Sequence, residues 1–442
     1  MLTTIQFVLL SVVAGTCALV LLGTWQLRQR NMHRWLGEHV RQTLRRRHPR
    51  PAETHVLICI ADHFEPSWGD PSDEVADARV ASWVRDYPRL LGSFRDSDGR
   101  PPRHTFFYPI DQYIPRHVDA LAELCRAGFG EVEIHHHHDN DTAENLERTL
   151  RRFTALFAER HGLLGRRATG DVAYGFVHGN WALDNSRSDG RWCGVRNELD
   201  VLRRTGCYAD FTLPSAPDAT QTRTINSIYY GVGRPDRCRS HDTGVHVGTA
   251  PPPADGLMLI QGPLRLWWPK GRWIPRVENG CLQRSQPPTM DRLEQWLRAS
   301  VRVPTRPDWL FVKLHTHGAT EANRQVLLGD PMIAFHRDLA QRAANDPRFR
   351  FHYVTAREMF NLAKAAEANW PGPIISAFDF DVEPPRWVAS THSASIPDEA
   401  GHSSAISVLF GRSPSCGAVG TARTCVQAPE PATRDGIRFP KS

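Results

Sequence analysis

The chain has 442 residues, a mass of 49.9 kDa, 40% hydrophobic and 23% charged residues and a mean hydropathy of −0.43; this excludes a wholly disordered polymer and allows one large domain or two medium ones. The formal charge of +6 is localised, because eight arginines face the single acid Glu38 between Arg28 and Arg50 and the remainder is close to neutral. A distributed basic face for nucleic acid is excluded on that ground.

Ile5 to Trp25 carries no ionised side chain. As a helix it would reach about 31 Å, enough to cross a hydrocarbon core. Trp25 stands where an interfacial aromatic belongs, with Arg28, Arg30 and Arg34 behind it. A cleaved signal peptide is the rival reading, but the start lacks Lys and Arg and the basic residues follow the apolar run. The expectation is an uncleaved transmembrane anchor over residues 1–27 and a basic juxtamembrane segment over 28–52, either a helix resting against anionic headgroups or a solvated linker. The positive-inside rule puts the body in the cytoplasm. The nine cysteines are odd in number and show no C-x-x-C pair, which fits free thiols in a reducing compartment.

Apolar, β-rich runs then alternate with helical stretches. Strands are predicted at Val56–Ala61, Thr105–Tyr108, Glu131–His135, Val172–Val177, Cys207–Thr212, Leu257–Gln261, Leu310–His315 and Phe349–Val354. Helices are predicted around Asp73–Phe94, His117–Ala127, Thr142–His161, Val195–Arg204, Met290–Val301, Glu321–Ala344 and Ala356–Ala368, the last opened by the capping-box pattern Thr355-x-x-Glu358. Repeated strand-then-helix order predicts an α/β fold with a parallel sheet, closed or open, over residues 53–370. Pro214–Gly256 reads as a long loop-rich cover for one face. Residues 371–442 read as a mostly disordered tail, rich beyond Pro384 in Ser, Pro, Ala and Gly.

Polar clusters sit where strands end, which in a barrel is one functional rim. Val56–Ala61 runs into Asp62-His63-Phe64-Glu65; the strand ending at Ile134 runs into His135-His136-His137-His138-Asp139; Val172–Val177 leads to His178; Leu310–Leu314 leads to His315-Thr316-His317. Imidazoles with carboxylates suit zinc or another divalent transition metal. Hydrolysis with such an ion requires about three protein ligands, an open water position and a nearby proton acceptor and donor. Each cluster also has a structural reading: an Asx-turn at Asp62, a solvated histidine loop, a helix cap at Asp141–Glu144, a packed pair at His315 and His317.

In these residues the chain resembles the polysaccharide deacetylase superfamily, the NodB-like carbohydrate esterases. Ile60-Ala61-Asp62-His63 stands in place of that family's strand ending in paired aspartates, Glu131-Val-Glu-Ile-His135 matches its Glu-Ile-x-x-His motif, and Leu314-His315 matches its late Leu-His. The resemblance spans roughly His55–Ala368 and implies a distorted (β/α) barrel of seven to eight strands. It implies a divalent metal, zinc foremost, held by Asp62, His135 and a ligand from His137, His138 or Asp139. It implies His315 as general acid and Asp210 as an orienting aspartate, with His178 in the place of an arginine-bearing loop. The sequence departs from the family at Ala61, where the base aspartate is expected, so Glu65, Asp139 or His63 would have to serve as base. The expected function is a membrane-anchored hydrolase removing acyl groups from a glycan, with lipid met through the N-terminal helix. The alternatives are an amidohydrolase or glycoside hydrolase on a related barrel, the latter pairing Glu65 with Asp210, or a non-catalytic glycan-binding or assembly protein that has lost the base.

Overall fold

The computed structural model describes residues 4–45 and 51–386. The N-terminal part is helical: α1 (Thr4–Gln29) and α2 (Leu36–Arg45). The body follows as β1 (Thr54–His63), α3 (Asp73–Leu91), β2 (His104–Pro109), α4 (Pro115–Leu124), β3 (Gly130–His136), α5 (Ala143–Arg160), β4 (Gly165–Arg167), β5 (Val172–His178), α6 (Glu198–Arg204) and β6 (Cys207–Asp210). It continues through β7 (Ile228–Val232), β8 (Val245–His246), β9 (Gly256–Ile260), β10 (Arg265–Trp267), β11 (Arg276–Glu278), α7 (Met290–Ala299), β12 (Trp309–Thr316), α8 (Glu321–Leu327), α9 (Asp330–Asn345), β13 (Phe349–Tyr353), α10 (Ala356–Glu367) and β14 (Val382–Glu383).

The fold is mixed α/β around a large, mostly parallel sheet. Its order is β12-β1-β2-β3-β5-β6-β9-β7-β8, with β13 also on β1. The first seven strands of that path run parallel, and β7 and β8 continue it antiparallel. All eight strands expected from the sequence form. The closed barrel does not. The free edge of β12 is taken by loop segments: His315 N–H donates to Gly280 O at 3.0 Å, Leu282 N–H to His315 O at 2.8 Å and Phe311 N–H to Val301 O at 3.0 Å. On the far side the sheet runs on from β9 through β7 to the two-residue β8, which pairs with β7 and not with β12.

Two cores flank the sheet. One face carries Ile58, Phe106, Val132, Ile134, Tyr174 and Phe176 against the helices; the other carries Leu57, Cys59, Phe107, Val177 and Phe311, with Met359 and Phe360 of α10 packed into it. Pro214–Gly256 contributes β7 and β8, not loop alone. The helix expected over Glu321–Ala344 is two helices, broken where Gly329 precedes Pro331 at the start of α9.

In the N-terminal part, α1 is the one helix among the described residues apolar and long enough to cross a membrane, over Leu9–Gln29. The basic segment after it docks on the body. Met32 and Trp35 are buried with Ala216, Ile225 and Leu264, and Gln42 Nε2 donates to Ile225 O at 2.9 Å. Of the region expected as tail, Pro371–Arg386 lies within the described residues and is tied down, with β14 paired to β4; the rest lies outside them. All seven cysteines among the described residues are free thiols.

Candidate metal centre

Successive side chains on a strand point to opposite faces. On β1 this sends Asp62 one way and Ala61 and His63 the other, with Glu65 continuing on the His63 side past the strand end. On β3 it sends Glu131, Glu133, His135 and His137 to that same side, and His136 and His138 to the helix-covered side. The four-histidine run is thereby split between two clusters.

The first cluster gathers around Glu65, which is 2% exposed. His135 Nε2 lies 3.0 Å and His137 Nε2 2.9 Å from Glu65 Oε1, and His317 Nδ1 lies 2.9 Å from Glu65 Oε2. His135 Nδ1 sits 2.9 Å from Val177 O, so its N–H is there and Nε2 is the atom offered inward. Asp111 does the same for His137, with Oδ2 at 3.1 Å from Nδ1. His63 packs beneath, its ring centroid 5.0 Å from that of His135 and 4.8 Å from that of His317. The side chains of His137 and His317 remain 19% and 20% exposed, so the cluster opens to solvent on one side. Trp68 and Trp181 flank that opening, at 5.0 Å and 6.2 Å from the His317 ring.

Burial alone would push Glu65 up, but the charge of His317 and hydrogen bonds to His135, His137 and His317 hold it well below the usual carboxylate range. Burial pulls His137 down, yet hydrogen bonds with Asp111 and Glu65 outweigh it and raise it to about 10. His63 is driven well below the ordinary imidazole value, by burial first and then by its neighbours His317 and His135. Glu65, His135 and His137 each offer one ligand atom, all within 4.8 Å of one another. Two imidazoles and a carboxylate suit a divalent transition metal, and the open side leaves room for water.

The remaining predicted residues fall elsewhere. Asp62 is not among these groups: it faces the helix side, accepting from Gly318 N–H at 2.6 Å and lying 2.9 Å from His104 Nε2. There it fastens the turn after His317. Asp139 is exposed and accepts from Trp192 N–H at 2.6 Å, so it is no part of either cluster. His138 and His178 meet on the helix side, with ring centroids 4.7 Å apart. His315 is buried 6.5 Å, ring to ring, from His63, and burial followed by the Lys313 charge keeps it well below the usual imidazole range. Asp210 accepts from the Thr212 hydroxyl at 2.7 Å, and burial raises it to about 6. Asp141 accepts from Thr142 N–H and Asn145 Nδ2 next to the cap of α5, where Thr142 is the N-cap. Asp111, Trp68, Cys193 and Glu198 were not singled out by sequence reasoning. Asp111 lies just beyond the end of β2, which is the signal that would have found it.

No family model and no curated protein matches this chain. Among solved structures, an alpha-mannosidase from Enterococcus faecalis V583 is similar at 11% identity and a TM-score of 0.38, over 72% of this chain and 30% of that one. The chain thus spans about 30% of that enzyme's length.

Proposed function

We propose that the chain is a membrane-tethered, metal-dependent hydrolase with its reaction centre at Glu65, His135 and His137, removing acyl groups from a glycan. The observation that carries this reading is the convergence of those three ligand atoms at parallel strand ends, open to solvent on one side. A divalent ion there would polarise the scissile carbonyl and lower the pKa of a bound water. His135 and His137 are oriented for that role by Val177 O and Asp111, which hold their Nδ1 atoms. Glu65 stays anionic, and His317, hydrogen-bonded to it and partly exposed, is placed to pass a proton between the centre and the rim. Trp68 and Trp181 offer apolar faces on which a sugar ring can lie. The helix α1 would anchor the chain, with the Arg-rich segment on the cytoplasmic side.

The test is metal content and acetate release from acetylated oligosaccharides by the purified full chain. Glu65→Gln and His137→Ala are each expected to lose one metal equivalent and to lower kcat/KM at least about 100-fold. Unchanged metal content and rate in both would overturn the proposed centre. Ala61, buried where the resembled family has its base, favours a second reading as a non-catalytic glycan-binding protein. Binding of metal and glycan with no acetate or reducing sugar released would decide for it.

A further inference from the structure

The half of the histidine run that faces the helices belongs to a second cluster. His138 meets His178 at the end of β5, Cys193 from the following loop and Glu198 at the first residue of α6. His138 Nε2 lies 3.1 Å and His178 Nε2 3.4 Å from Glu198 Oε1, and Cys193 Sγ lies 3.4 Å from Glu198 Oε2. One atom from each of the four residues falls within 4.8 Å of all the others. His178, Cys193 and Glu198 are 0% exposed, and the His138 side chain is 4% exposed.

The decisive detail is at His178. Its Nδ1 is in contact with Gly179 O, which fixes the N–H there and leaves Nε2 as a lone pair. That Nε2 has no hydrogen-bond partner, is fully buried and is aimed at a carboxylate oxygen. Two electron-rich atoms facing each other without solvent are costly unless a cation lies between them. The Gly179 carbonyl behind His178 is the kind of contact that orients a metal ligand, while His138 Nδ1 lies 3.3 Å from Asp141 Oδ2 without a hydrogen bond between them.

The geometry points to a second, structural metal site formed by His138, His178, Cys193 and Glu198, taking zinc. Four donors with no solvent-facing side make the closed kind of site, in contrast to the open Glu65 cluster. A sulfur donor beside imidazoles selects zinc over magnesium or calcium. Binding releases the Cys193 thiol proton and any proton on His138 to solvent. The site would pin the loop between β5 and α6 to β3. That loop needs pinning, because Asn180, Trp181, Asp184, Asn185 and Trp192 all hold positive φ. It also carries Trp181, one of the two aromatic walls of the first cluster, so an ion here would position that wall without touching substrate.

Cobalt substitution separates the two clusters, because only the second contains a thiol. The full chain in detergent, stripped and reloaded with Co(II), is expected to show a near-ultraviolet thiolate-to-cobalt charge-transfer band. Cys193→Ser should abolish the band and lower bound zinc by one equivalent; His178→Gln should weaken it; Glu65→Gln should leave it in place. The wild-type spectrum is itself decisive should either variant fail to fold. Absence of the band in the loaded wild type, or its survival in folded Cys193→Ser, would overturn the site and leave a His138–Glu198 ion pair in its place.

Discussion

His336 is buried among aromatic rings, with Nδ1 2.7 Å from the Tyr353 hydroxyl and the Phe94 ring at 5.2 Å. Burial lowers its pKa to about 3. The folded state therefore holds fewer protons than the unfolded state between pH 3 and the ordinary value of 6.5. Its contribution to stability is complete above pH 6.5 and is lost as pH falls towards 3. Between pH 8 and pH 5 this one group should cost about 2 kcal/mol. Urea unfolding of the wild type and His336→Gln at both pH values checks it; the variant should lose about 2 kcal/mol less, and equal losses would refute the assignment. At the same scale, the candidate centre is only partly legible in the sequence. That the histidine run bears ligands can be read from its place after a strand. Which of its members act together depends on the alternation of side chains, and the same rule removes Asp62 from the His63–Glu65 face although all three are neighbours in sequence. Cys193 and Glu198 are brought to His178 by a loop without periodicity, and nothing in the sequence announces them.

The elements themselves are largely legible, because buried parallel strands read as short apolar runs wherever they lie. The strand β7 is an exception: Ile228–Val232 sits among turn residues and is made a strand by its pairing with β9. Nor does the periodic pattern show how α10 is held. Its capping box forms as expected at Thr355 and Glu358. Beyond the cap, Arg357 is 2% exposed and bridges three segments: Glu131 of β3 at 2.9 Å, Asp379 at 2.7 Å and the Val382 carbonyl at 2.7 Å. Removing a single partner of a buried pair leaves the other charge uncompensated, at a cost of about 3–5 kcal/mol. Glu131 keeps Arg103 at 3.7 Å and the Thr355 hydroxyl at 2.7 Å when Arg357 is lost, so Arg357→Met should destabilise towards the low end of that range in denaturant unfolding, whereas Arg357→Met with Glu131→Gln should recover part of it. Additive losses in the double variant would mean that the two side chains are not coupled.

At the scale of the whole molecule, the sequence shows one stretch long and apolar enough to cross a membrane, but not what packs beside its end. The buried cluster of Met32 and Trp35 takes in Leu27 at the end of α1 and Leu266 and Val277 of the β10–β11 hairpin. The hairpin base is therefore packed where α1 leaves its apolar stretch. Its tip carries Trp268, Trp273 and Ile274 at 59%, 98% and 73% exposure, among Lys270, Arg272 and Arg276 and without an acid. Aromatic and basic residues together are what the headgroup region selects, each basic side chain adding about 1 kcal/mol on an anionic leaflet. In full chain reconstituted into vesicles with anionic lipid, a polarity-sensitive fluorophore on Trp273→Cys, in a background in which Cys17, Cys238, Cys281, Cys416 and Cys425 are each replaced by Ser, should be quenched by lipid-borne nitroxides. The same label on exposed Asp255→Cys should not be. Carbonate extraction of the same vesicles separates the two ways this can fail: release of the chain would sink the anchor, while a retained chain with an unquenched label at 273 would leave α1 as a tether and the hairpin in water.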